Sequence, residues 1–202
     1  ALPDHFILFK PRDIVSGDFY WFQEFAPQKF MIAAVDCTGH GVPGAFMSMI
    51  GDAILSQVVL DKHIYQADEV LYALKEGIRK SLNQENTGNQ DGMDVALCVI
   101  DNEEKIMQFA GARNPICYIQ NNEIQVIKGD RISIGGDPHP RMKTHFTRHD
   151  ISIAIPTTFY IFSDGYQDQF GGEMSHKFKP VRFRKLLFSI HQKPLLEQIG
   201  RA

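Results

Sequence analysis

The stretch that most constrains this chain runs from Met31 to Gly44. An apolar run, Met31 to Val35, ends abruptly on Asp36, and Cys37-Thr38-Gly39-His40-Gly41-Val42-Pro43-Gly44 follows. The run reads as a buried strand and the glycines as a tight turn. Pro43 suits the first turn of a helix, because its missing N–H would have no intrahelical acceptor there. Strand, carboxylate, turn and helix in that order place a charged oxygen at the open end of a sheet, where a group is both fixed and accessible.

The rest of the chain supplies a frame for that end. Phe6 to Phe9 reads as a short strand, and Ser16-Gly17-Asp18-Phe19-Tyr20-Trp21-Phe22 as a second, aromatic-rich one. The second forms a hairpin with Lys29 to Asp36 around Pro27-Gln28. Val42, Phe46, Met49, Ala53 and Ile54 recur at helical spacing, as do Leu71, Leu74, Ile78 and Leu82 in a helix over 67–82. After a polar loop at 86–92 come strands at 95–100, 105–110, 116–120 and 124–127, with Asn121-Asn122 as a hairpin turn. The stretch 129–140 reads as irregular, followed by strands at 146–153 and 158–163 and a helix at 180–192. Strands, two helices, more strands and a last helix indicate an α+β fold with helices packed on antiparallel sheets.

With 202 residues, no internal repeat and no low-complexity linker, the expectation is a single domain over 1–202. Both ends look cut from a longer protein. A net charge of -3 gives no electrostatic footprint for nucleic acid. No apolar run approaches the ~20 residues that span a bilayer. The three cysteines, Cys37, Cys98 and Cys117, lie in or beside strand-like runs without framework spacing, which points to reduced thiols and a cytoplasmic setting.

Asp18, Asp36 and Asp164 each sit at a strand boundary beside glycine. Singly, each reads as a turn residue. Together, three carboxylates converging at one sheet end would repel one another unless cations neutralise them. Hard oxygen donors without a thiolate favour Mg²⁺ or Mn²⁺ over zinc. Such a site would hydrolyse a phosphate ester.

Four motifs in order now carry a family resemblance: Ser16-Gly17-Asp18-Phe19-Tyr20, Asp36-Cys37-Thr38-Gly39-His40-Gly41, Phe109-Ala110-Gly111-Ala112-Arg113-Asn114-Pro115 and Phe162-Ser163-Asp164-Gly165. From about Pro11 to Phe170 the chain resembles the SpoIIE-like branch of the PPM (protein phosphatase 2C-like) phosphatases. The resemblance implies a four-layer α-β-β-α sandwich and a phosphoserine/phosphothreonine protein phosphatase with two Mn²⁺ or Mg²⁺ ions, whose nucleophile is a metal-bridged water. It also implies a place in bacterial signalling, downstream of a sensor or regulatory domain, acting on a phosphorylated protein such as an anti-sigma-factor antagonist. The setting would be cytoplasmic, including the cytoplasmic part of a membrane-attached sensor. Position by position, Asp36 would bridge the ions, Asp18 and Asp164 would each bind one, and the backbone carbonyl of Cys37 would add a ligand. Two cations would neutralise the phosphate and acidify the water, so no side-chain nucleophile is needed.

Further candidates are weighed against plainer roles. His40 could protonate the leaving oxygen, but it equally fits the glycine turn, and the structural role is preferred. Lys10 and Arg12 could clamp phosphate or form a solvated basic pair. Asp94 is a second-tier metal candidate, and Gly111 to Pro115 reads as architectural. His145 and His149, four apart in a strand, would be ~13 Å apart and share no ion. The basic run from Lys177 to Lys185 reads as a solvated helix face rather than a site for an anionic partner.

The chain departs from the family pattern at its end. That pattern closes with a last strand introduced by an Asp-Asp pair that completes the metal site, whereas residues 169–202 contain no aspartate. The sandwich is therefore expected to lack its last strand, to bind the second ion weakly, and to leave a sheet edge open for pairing with another copy. The alternative to an enzyme is a catalytically weak phosphoprotein-docking module. A nucleotide-binding protein is disfavoured, since the loop after Gly41 lacks a Gly-Lys-Ser/Thr phosphate cradle.

Overall fold

The computed structural model describes residues 4–136, 145–171 and 176–200. Its largest sheet is antiparallel, built from β1 (Phe19–Ala26), β2 (Lys29–Cys37), β3 (Gly92–Asp101), β4 (Ile106–Ala112), β7 (Ile134–Gly135) and β8 (His149–Ser152). The strand order is β1-β2-β3-β4-β8, with β7 on the end of β3. The second sheet runs β6-β5-β9, from β5 (Ile116–Gln120), β6 (Glu123–Ile127) and β9 (Thr158–Ile161). Asn121 and Asn122 both take positive φ in the β5–β6 turn, the conformation that asparagine tolerates best after glycine.

Period-two alternation in β2 and β3 builds two cores at once. Met31, Ala33 and Val35, with Val95, Leu97 and Val99, face α1 (Gly41–Ser56) and α2 (Ala67–Ser81). Phe30, Ala96, Cys98 and Ile100 point the other way and meet Ile116, Tyr118 and Ile151 between the sheets. A third cluster joins Cys117 on the outside of the second sheet to Phe183 and Leu187 of α4 (Pro180–Ile190). Helices, sheet, sheet and helix give the expected four layers. Among the described residues no strand lies outside β1 or β9.

Several elements differ from expectation. Phe6 to Phe9 is not a strand: no neighbour offers it a ladder, and Phe9 instead packs edge-on against Tyr20 at 5.9 Å. Strand β1 starts at Phe19, since Gly17 is pinned against the turn after β2. Residues 129–140 are not wholly irregular, because β7 forms within them; 137–140 lie outside the described residues. Strand β8 is shorter than predicted, and α4 ends at Ile190. Short elements also appear: α3 (Gln84–Thr87), β10 (Phe170–Gly171) paired with β11 (His176–Lys177), and α5 (Leu195–Ile199).

The first helix holds the largest correction. Val42, Phe46 and Met49 are exposed, and the buried face is Gly44, Met47, Gly51, Ile54 and Leu55. A Cβ on Gly51 would come within 2.9 Å of the Met93 methyl and 3.0 Å of the Phe19 ring. The helix thus approaches the sheet through its smallest residues, which a hydrophobicity pattern scores poorly. Together with the π-helical turn Gln57–Asp61 it forms a 21-residue helix of hydropathy 1.4, long and apolar enough by length and composition to cross a membrane. The sequence reading had found no stretch near that length. Here Leu55, Val58 and Val59 are buried against the sheet as part of the core.

Candidate active site

The alternation that builds the inter-sheet core also builds the site. On β2, Phe30, Ile32 and Ala34 are followed on the same face by Asp36; on β3, Asp94 precedes Ala96 and Cys98. Asp36 and Asp94 are direct cross-strand partners. Phe19 pairs with Val35, so Asp18 falls beside Asp36, and Val95 pairs with Ala112, so Arg113 falls beside Asp94. Asp18, Asp36, Asp94 and Arg113 therefore form a row across the ends of four neighbouring strands, where the apolar core stops. From the facing sheet, β9 runs out through Phe162 and Ser163 to Asp164.

The acids act on one another electrostatically: Asp18 and Asp164 both bear on Asp36, and Asp18 bears on Asp164. Burial, then the charges of Asp18 and Asp164, push the Asp36 carboxyl up to about 7. Burial likewise raises Asp164, with Asp168 and Asp18 adding to it. Asp94 is raised by burial and partly relieved by the Ser133 hydroxyl, which donates at 2.8 Å, and by Arg113 at 4.0 Å. Among the described residues no three His, Cys, Asp or Glu side chains stand ready as a coordination shell.

Close backbone contacts hold the row in register. A Cβ on Gly17 would stand 2.9 Å from the Gly39 carbonyl oxygen, and one on Gly44 would stand 2.8 Å from the same atom and 3.0 Å from Gly17 Cα. Gly39 and Gly41 themselves take φ of 83° and 63°. The turn after Asp36, the start of α1 and the segment before Asp18 thus meet without room for side chains. Thr38 ties the turn to β3: its hydroxyl donates to Asp91 at 3.0 Å and accepts from the Gly92 N–H at 3.1 Å.

A cleft of about 360 Å³ opens over these strand ends. Asp36, Asp94 and Asp164 line it, together with Cys37, Ser133, Arg113, Arg131 and Lys75. The Cys37 thiol is pushed up to about 12 by burial and by Asp18 and Asp36, so it stays protonated and is no nucleophile. His40 is at the exposed start of α1, with Nδ1 3.4 Å from Asp13. Lys10 and Arg12 are on exposed chain before β1, and neither they nor His40 line the cleft. His149 is in β8, and His145, which lies ahead of that strand, is beside Tyr72 rather than in the site.

The sequence reading had passed over three residues. Arg113 had seemed part of an architectural link, yet it adopts φ of 59° and its side chain meets Asp94. Its N–H donates to the Asp130 carbonyl at 2.8 Å, and the Asn114 amide donates to the Asp94 carbonyl at 3.2 Å, so the surrounding turn fixes that unusual backbone. Arg131 carried no signal at all. Lys75 did carry one: it interrupts the buried stripe of Leu71, Leu74 and Ile78 on α2.

Comparison with known proteins follows this geometry. A sequence model described as stage II sporulation protein E (SpoIIE) matches residues 26–202. The structure is similar to the SiaA-PP2C domain of Pseudomonas aeruginosa, with 34% identity and a TM-score of 0.85, covering 96% of this chain and 74% of that one. It is also similar to the RsbU and RsbW domains of Rv1364c from Mycobacterium tuberculosis (16% identity, TM-score 0.67), covering 93% of this chain and 49% of that one. A structure of RsbX in complex with magnesium matches at 13% identity and a TM-score of 0.63, covering 96% of this chain and 81% of that one. At those lower identities the likeness speaks to the fold alone. No curated protein sequence matches the chain.

Proposed function

The chain belongs to the SpoIIE family and has the fold of its PP2C-type phosphatase domains, and from that membership we propose that it is a metal-dependent protein serine/threonine phosphatase. Its substrate in this reading is a phosphoserine or phosphothreonine on a partner protein in a bacterial signalling pathway. A small regulatory protein of the anti-sigma-antagonist kind is the expected partner, consistent with a structural neighbour that contains RsbU and RsbW domains. The observation that supports the reading is the convergence of Asp36, Asp94 and Asp164, from three separate segments, on one cleft at the mouth of the sandwich, with Asp18 next to Asp36 by strand register.

The donor set fits Mn²⁺ or Mg²⁺. Three oxygen acids, one pushed up to about 7 by burial and by its two neighbours, form a concentration of incipient negative charge that hard cations relieve. Asp18, Asp36 and Asp164 would hold such ions, with the Cys37 carbonyl and Asp94 close by, and a magnesium complex of RsbX is in keeping with this choice. Bound there, the ions would supply charge neutralisation for a phosphate dianion and would acidify water. The chain's own groups do the rest. Arg113, beside Asp94, offers N–H donors to a phosphate oxygen. Ser133 orients Asp94. The cleft opens to solvent, so water reaches the reacting phosphorus without a protein nucleophile.

The test is release of phosphate from a phosphoserine peptide. With Mn²⁺ the unaltered chain should turn over, and Asp36→Ala should lose about a hundredfold or more in rate. Mn²⁺ should also raise the melting temperature of the unaltered chain and not that of Asp36→Ala. Phosphopeptide binding with no release at any Mn²⁺ concentration would instead make the chain a docking module.

A further inference from the structure

The cleft has two chemically distinct ends. The acidic end lies between the sheets, on the face of β3 that carries Asp94. The cleft then wraps over the strand end to the opposite face, where Met93 and Gly92 meet α2 and Lys75. Lys75 is only 5% exposed, yet it lines the cleft. Among the described residues it makes no hydrogen bond and no ion pair. Burial lowers its pKa, with Arg79 adding to the effect. The Lys75 stem is buried while its ammonium is open to the cleft, where an entering anion could reach it. Its neighbours on the helix are the core residues Leu71, Leu74 and Ile78, where an apolar side chain would pack.

Two guanidinium groups share this cleft. Arg131 is exposed beside Ile132 and Ser133, and Arg113 reaches the same space from its positive-φ turn. A Cβ on Gly111 would stand 2.4 Å from the Asn114 carbonyl oxygen and 2.8 Å from Gly129 Cα, so the turn that carries Arg113 is closely packed. Cations at the acidic end would already neutralise the phosphate that reacts. With Arg113 engaging that phosphate, Lys75 and Arg131 still exceed what a single phosphate dianion requires.

The geometry points to a second anion subsite, formed by Lys75 and Arg131, that reads an acidic group flanking the phosphorylated residue of the substrate. This rests on the phosphatase reading for the identity of the substrate, but not on turnover. The recognised chemistry is a carboxylate or a second phosphate on the same peptide. Arginine forks suit both, and Lys75 supplies a point charge at the closed end.

The test measures binding alone. Fluorescently labelled peptides carry a non-hydrolysable phosphonate analogue of phosphoserine, flanked by glutamine, by glutamate or by a second phosphonate, and anisotropy gives their affinities for the chain with Mn²⁺. The glutamate or double-phosphonate peptide should bind about tenfold more tightly than the glutamine peptide, the scale of one charge-assisted hydrogen bond. Whichever of the two gains more names the source of the anion. Lys75→Met and Arg131→Ala should each shrink that preference to about twofold or less. Lys75→Met should melt no lower than the unaltered chain, because methionine fills the same place among Leu71, Leu74 and Ile78, so a loss of preference cannot be ascribed to unfolding. Equal binding of all three peptides by the unaltered chain, or a preference that survives both substitutions, overturns the subsite. A preference that behaves as expected in a chain that releases no phosphate from a true phosphopeptide leaves the subsite standing and removes the phosphatase reading.

Discussion

Asp36 keeps its proton to about pH 7, whereas an unfolded carboxylate releases it near 4. Between those values the folded chain binds more protons than the unfolded one. The stabilisation from this group is therefore complete below about pH 4 and lost as the pH rises through 7. Asp94 and Asp164, also raised, act in the same direction. Without divalent ions, the melting temperature should fall between about pH 4 and 7 and level off above, and Asp36→Asn should flatten that fall. At pH 8 the variant should melt about 3–8 °C above the unaltered chain, a range reduced for partial solvent screening. Scanning fluorimetry across a pH series checks both, and Mn²⁺ should restore the unaltered chain's deficit. At this scale the acids were readable because each ends a strand next to glycine. Asp94 was underrated since nothing in the sequence reveals that it stands directly across from Asp36; that is a fact of register. Lys75 was readable and overlooked.

Strand β2 was legible almost to the residue and β3 over its apolar middle, 95–100, while the start of β3 at Gly92–Asp94 was missed because glycine and aspartate carry no strand pattern. Helix α1 was legible in extent and misread in orientation. Its inner face rests on glycines, whose contribution is closeness rather than apolar area, while Phe46 and Met49 look outward. Gly44→Ala tests that contact. The added Cβ meets only backbone, which cannot swing aside, so a loss of about 1–3 kcal/mol is expected on denaturant unfolding. Activity should fall further than stability accounts for, since the clash separates the Asp18 segment from the turn after Asp36. The element on the other side of the molecule is α4. Phe183 packs against Phe162 edge-on at 4.8 Å and against Tyr166 at 4.8 Å, the two aromatics that bracket Asp164. Phe183→Ala should cost about 3 kcal/mol. It should also weaken Mn²⁺ binding, read by titration under conditions where the variant remains folded.

The three clusters are of unequal depth, and the order of local opening should follow them. Strand β3 contacts β2 and β4 along its length and is buried on both faces, so its amides should exchange most slowly in hydrogen–deuterium measurements. The β10–β11 pair, whose four residues are all exposed, should exchange within the fastest class. Faster exchange in β3 than in β5 would contradict this ranking. Four layers were inferable because helical and strand periods separate cleanly along the chain. The small pieces, β7, β10 and β11, were not inferable, since two-residue bridges arise from the meeting of distant loops and leave no periodic trace.

Three of the four acids at the mouth belong to one sheet, and Asp164 hangs from the other. Each sheet is laced internally by its own ladder, and between them lies the apolar seam around Phe109 and Ile116, with the Gln120 amide donating across it to the Ser152 carbonyl at 2.6 Å. How far Asp164 stands from its three companions therefore depends on how the two sheets pack, so a substitution that loosens the seam should disturb the acids while both ladders stay intact.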